Sequence, residues 1–175
     1  MQTRRLIALI VVALPVLAQT TVKDALANHW KVSEEFTLKV ADAMPAGSYD
    51  FRPVPEELSF GQLIGQIALA NSNACAVASG MKAPAIPPAA AASRTDPKAL
   101  DKATAMRYML DTFEFCNTAI ASMAPENLDA MVGPEGHQTT AFERLWAYFT
   151  HTAHHRGQAE VYLRMKGIVP PTYTF

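Results

Sequence analysis

The sequence predicts an all-α protein, a four-helix bundle with a long crossover between its second and third helices. Three observations carry that reading. Apolar residues recur at helical spacing in four long segments, no segment alternates like a strand for long, and a Pro- and Ala-rich stretch separates the second segment from the third. Half of the 175 residues are hydrophobic, enough to give one compact domain a core.

The chain opens on Arg4 and Arg5, then an uncharged apolar run from Leu6 to Leu17 broken by Pro15, with Val16 and Ala18 small ahead of Gln19. This is the pattern of a secretory signal peptide over residues 1–18, followed by a bundle domain over 19–175. The run is shorter than the roughly 20 apolar residues that span a bilayer, so no stable membrane anchor is expected after cleavage. Cleavage removes two Arg and no acid, which takes the formal charge from −1 to −3. A mildly acidic chain has no electrostatic footprint for nucleic acid. In an oxidising compartment Cys75 and Cys116 can pair as a disulfide; the alternative is two separate small buried residues.

The first helix is expected from about Val22 to Met44, with Val22, Leu26, Trp30, Phe36 and Val40 on one side and Pro45-Ala46-Gly47 as its stop. Ser59 and Gln62 have capping-box spacing, and Leu58 with Leu63 that of a hydrophobic staple, so the second helix starts at Phe60. Leu63, Ile67, Ala70 and Ala74 line its face, Gln66 lies on the flank, and it fades near Ser79-Gly80. Met81 to Thr95 is an irregular linker. Asp96-Pro97 reads as a cap with a first-turn proline, which starts the third helix there and runs it to about Met123. Met106, Leu110, Phe113 and Ile120 mark its buried face. A second irregular stretch, Pro125 to Thr139, leads to a fourth helix capped by Thr140 and Glu143 and ended by Gly167 and Pro170-Pro171. A helix of about twenty residues is roughly 30 Å long, whereas the first linker can extend about 50 Å. It can therefore cross the bundle from end to end and set the second and third helices parallel.

On the fourth helix His151 and His155, four residues apart, project from one face and can chelate one ion. His154 points about 100° away and is left out of the ligand set. Phe142, Trp146, Phe149 and Ala153 lie on one side, Tyr148, His155, Ala159 and Tyr162 on another, so the helix is either central or meets a second subunit. There is no phosphate loop, no Ser nucleophile motif and no Cys-X-X-Cys.

The segment HTAHHRGQAEVYLRMKGIVPP, His151 to Pro171, resembles the C-terminal signature of DinB/YfiT-like proteins, and LSFGQLIGQIALANSNAC, Leu58 to Cys75, is similar to that family's second-helix segment. The resemblance implies a four-helix bundle with a long second-to-third connection, frequent homodimers, and a divalent cation, zinc or nickel foremost, held by three histidines. Two of these correspond to His151 and His155. The third position is Gln66 here, a neutral and weaker ligand than imidazole. Three outcomes follow: a site of His151, His155 and Gln66 with reduced affinity, a site in which His29 supplies the missing nitrogen, or a bundle that has lost its metal. His137, in the Gly-Pro-Glu-Gly-His loop, is expected to be exposed, and its proximity to the fourth helix keeps it a further candidate. Arg156 and Gln158 belong to the signature and either orient the ligands or pack between helices. The implied activity is of metal-dependent thiol-transferase or hydrolase type on a small-molecule substrate, with Tyr148 or Tyr162 near the pocket. The alternative is a non-catalytic metal- or ligand-binding bundle. Glu160 is a candidate base whose simpler reading is a salt-bridge partner.

Overall fold

The computed structural model describes residues 20–173. The expected signal peptide lies outside the described residues. Four long helices, α1 (Val22–Ala43), α2 (Phe60–Ser79), α4 (Lys102–Ser122) and α5 (Ala141–Met165), form the bundle; a short α3 (Pro88–Ala92) lies in the crossover. Among these residues no helix is long and apolar enough to cross a membrane.

Capping chemistry fixes where three long helices begin. Thr21 and Asp24, Ser59 and Gln62, and Thr140 and Glu143 each exchange side-chain and backbone hydrogen bonds as capping boxes, which satisfies amide donors that have no partner within the helix. The second and fourth expected starts are therefore correct. The α1 stripe is Leu26, Trp30, Ser33, Phe36, Thr37 and Val40. Val22, expected on that side, is 62% exposed at the first position of the helix, and the expected staple residue Leu58 is 37% exposed.

The third long helix starts later than the sequence suggests. Asp101, not Asp96, is its N-cap, accepting from the Thr104 amide at 2.9 Å. Asp96 instead accepts from the Lys98 amide in a turn, and that turn carries Leu100 into the core at 2% exposure. A Cβ on Gly61 would lie 2.9 Å from the Leu100 carbonyl oxygen, so only glycine admits this approach. The buried face is also rotated from expectation. Phe113 and Ile120 are buried, but Leu110 is 45% exposed and Tyr108 and Thr112 take the inward positions. Hydrophobicity alone could not place two hydroxyl groups inside. The crossover contains a helical turn that begins at Pro88, which sits at the first helical position where no amide is needed. The stretch before α5 likewise holds order: a 3-10 turn at Pro125–Asp129 and a two-residue antiparallel pairing, β1 (Met131–Val132) with β2 (Thr139–Thr140).

Residue pairs between helices give the directions. Lys23 at the start of α1 donates to the Ala121 carbonyl near the end of α4, and Lys102 at the start of α4 pairs with Asp42 at the end of α1, at 2.9 Å in both cases. These two helices are antiparallel. Gly61 meets Leu100, Cys75 is bonded to Cys116, and Ser122 reaches Met81, so α2 and α4 are parallel, as the linker length allows. Tyr162 on α5 donates to the Leu58 carbonyl just before α2, which makes that pair antiparallel. The ring order is α1, α4, α2, α5.

The Cys75–Cys116 disulfide decides between the two readings of the cysteines. Both residues are fully buried, their Cα atoms are 5.3 Å apart, and the bond spans 41 residues including the whole crossover. Closing a loop of that length restricts the unfolded chain by about 4 kcal/mol in the chain-entropy account. Urea unfolding of the C75A/C116A protein, or of reduced wild type, is expected to show a loss of about 2–4 kcal/mol relative to the oxidised protein. An unchanged midpoint would mean that the packing of α2 on α4 already supplies this restraint.

Candidate metal centre

The position of the histidines follows from how α5 is held in rotation. The Thr152 hydroxyl lies 3.0 Å from both Asn71 Oδ1 on α2 and the Tyr148 carbonyl oxygen. On the α1 side, Arg156 Nη1 donates to Ser33 Oγ at 2.9 Å and Thr37 Oγ1 at 3.1 Å, and its guanidinium sits 4.7 Å from the centroid of the Phe36 ring. Arg156 is only 7% exposed, and burial pulls its pKa below the ordinary arginine value while the charges of Glu160 and Tyr173 push it back up. With Thr152 turned to α2 and Arg156 to α1, His151 and His155 emerge half-buried at the α2–α5 seam.

The two imidazoles converge. Their Nε2 atoms are 3.1 Å apart and the ring planes are inclined by 79°. An ion bound to both at the usual zinc–nitrogen distance of about 2.0–2.1 Å would see them at an angle of about 100°, within reach of tetrahedral coordination. His155 Nδ1 is 2.8 Å from Gln158 Oε1, so the amide oxygen accepts the Nδ1 proton and leaves Nε2 bare, in the tautomer a ligand needs. His151 lacks such help. Its Nδ1 is buried with no hydrogen-bond partner among the described residues, and ligation through Nε2 puts the ring proton on that atom. An unpaired buried donor costs about 1–3 kcal/mol. In the metal-free protein the His151 Nε2 proton can instead be donated to His155, which completes the pair without an ion.

Gln66 is exposed on α2 and lines the same cleft as His151, Tyr148 and Asn73, a space of about 590 Å³. Tyr148 stands 5.7 Å from His151, ring to ring. The other candidates lie elsewhere. His29 borders a small apolar groove with Leu26, Phe142 and Trp146, on the side of α5 opposite to His151. His137 is exposed beyond β1, and His154 is exposed with its ring 5.1 Å from that of His155. Glu160 pairs with Arg164 at 3.7 Å. Tyr162 belongs to a neighbouring recess with Gln158 and Val161. Among the described residues no three His, Cys, Asp or Glu side chains cluster as a metal site; the two convergent imidazole nitrogens of His151 and His155 are of a kind that suits a cation, and Gln66 lines the cleft beside His151.

A sequence model of the DinB superfamily matches residues 29–159. The chain belongs to the DinB superfamily. Its fold is similar to that of a DinB-like protein from Bacillus cereus, with a TM-score of 0.71 at 18% identity over 89% of this chain and 99% of the other. A DinB-like protein from Bacillus subtilis is similar with a TM-score of 0.67 at 15% identity, over 85% of this chain and 96% of the other. At those identities the likeness concerns the fold alone. No curated protein matches the chain. Within this DinB-superfamily bundle, sequence reasoning missed Asn71 and Thr152, whose signal is a polar residue on an otherwise apolar helical face.

Burial, with the nearby charges of His155 and His154, lowers the His151 pKa from the ordinary 6.5, which keeps the ring neutral and able to ligate. Because the unfolded chain binds this proton more readily, the associated stability is present above pH 6.5 and is lost as pH falls toward the folded-state pKa. In a proton NMR titration of metal-free protein, His151 is expected to titrate below 6.5. A His151 midpoint above 6.5 would contradict the burial argument.

Proposed function

We propose that this DinB-superfamily bundle holds one divalent cation, zinc or nickel, through His151 and His155 with Gln66 in the third position. The observation that supports it is the convergence of two Nε2 atoms at 3.1 Å with Gln158 securing the tautomer of one of them. When bound, such a cation polarises a ligand oxygen or sulfur, the chemistry of a metal-dependent transferase or hydrolase. The chain's own contribution is positional. The cleft admits a small molecule beside His151, Tyr148 presents a phenol to it, and Gln66 offers an amide oxygen from the facing helix.

A second reading is a non-catalytic metal- or ligand-binding bundle. It is favoured by the unpaired His151 Nδ1 and by the self-contained hydrogen bond that the two histidines form without a metal. We further propose that the protein works outside the cytosol as a homodimer. Export is supported by the signal-peptide pattern of residues 1–18 and by a buried disulfide, which an oxidising compartment maintains. The dimer is supported by the outer face of α5, where Trp146, Ala153, Gly157 and Val161 are exposed.

Metal analysis of untagged mature protein tests the site. Stoichiometric zinc or nickel is expected, lost in His151→Ala and His155→Ala, weakened about 10–100-fold in Gln158→Ala, and tightened in Gln66→His. Wild type that stays metal-free in excess zinc, with no gain from Gln66→His, would leave the non-catalytic reading.

A further inference from the structure

The cleft beside His151 continues beyond Gln66. A second recess of about 120 Å³ lies between α2 and the crossover, lined in part by Gln62, Ser93 and Arg94, and it shares Gln66 and Leu69 with the larger one. Together they make a groove of the size that small-molecule sites have. Its charge is one-sided. Among the described residues no Asp or Glu lines either recess, and the ionisable side chains that do are Arg94, Tyr148 and His151.

Arg94 is available at the far end. Among the described residues the ion pairs are Lys102 with Asp42, Arg107 with Asp111 and Arg164 with Glu160, and the nearest acid in sequence, Asp96, is engaged by the Lys98 amide. The backbone that carries Arg94 is nevertheless fixed to α2. Gln62 Nε2 donates to the Ser93 carbonyl at 2.6 Å, and the Ser93 hydroxyl, itself buried, donates to the Ala90 carbonyl at 2.8 Å. A guanidinium on an anchored base, facing a groove with no acidic wall, matches a carboxylate, which it can hold through two parallel hydrogen bonds. Glu57 opens onto the separate recess past Gln158.

We propose that this groove binds an elongated small molecule with a terminal carboxylate, held at Arg94, whose other end lies beside His151 and His155. The placement of that other end rests on the metal-site reading; the Arg94 contact does not.

Carboxyalkyl hydroxamates of graded length, each with its methyl ester, are the probes for zinc-loaded protein in isothermal titration calorimetry, since the hydroxamate anchors at a metal. The free acid is expected to bind about tenfold or more tightly than the ester. That advantage should vanish in Arg94→Ala and be partly kept in Arg94→Lys, with zinc content unchanged in both. Equal affinity of acid and ester, or an advantage that survives in Arg94→Ala, overturns the inference. Should the protein hold no metal, the metal-site reading fails by that measurement, and alkyl dicarboxylates against their monoesters decide the Arg94 contact on the metal-free protein by the same two comparisons. Absence of binding by every probe also overturns it.

Discussion

A guanidinium buried between two parallel helices sets the geometry on which the candidate site depends. Arg156 is charged, almost fully buried and hydrogen-bonded to Ser33 and Thr37, with the face of Phe36 against its guanidinium. Hydrogen bonds to a charged group are worth about 1.5–3 kcal/mol each, and a charge left without them in the interior is strongly destabilising. The helix therefore cannot rotate about its axis or slide along α1 without losing them. Thr152 applies the matching restraint toward α2. Between those two contacts His151 and His155 have one place to emerge, the seam where α2 faces them with Gln66.

The crossover plays the corresponding part for α2. Its length allows α2 and α4 to run parallel, Gly61 lets the Leu100 backbone approach, and the disulfide ties the two helices toward their C-terminal ends. The same packing lays Ser93 and Arg94 against α2. A connection that only had to span the bundle thus becomes one wall of the groove. Fold and candidate site share these contacts.

The histidine pair shows how finely such a site is balanced. The distance that suits a shared cation also suits a hydrogen bond between two neutral imidazoles. Gln158 favours ligation by fixing one tautomer, while the buried, unpartnered Nδ1 of His151 opposes it. In the proposed site an amide at position 66 would supply less affinity than an imidazole. Local chemistry at three side chains, rather than the bundle itself, decides between an ion and a proton.

By itself the sequence determined the four helices, two of their capped starts, the length that permits a parallel crossover and the neighbouring placement of His151 and His155. Each of these depends on neighbours a few residues apart, or on the length of chain between two helices. Asp101 displaced Asp96 as a cap because Leu100 had to reach α2, and Tyr108 and Thr112 displaced Leu110 from the interior through packing with other helices. The joining of Cys75 to Cys116, the inward turn of Arg156 and the placement of Arg94 beside Gln66 were decided by tertiary structure alone. Those contacts bring together residues dozens of positions apart, and no local spacing encodes which faces meet.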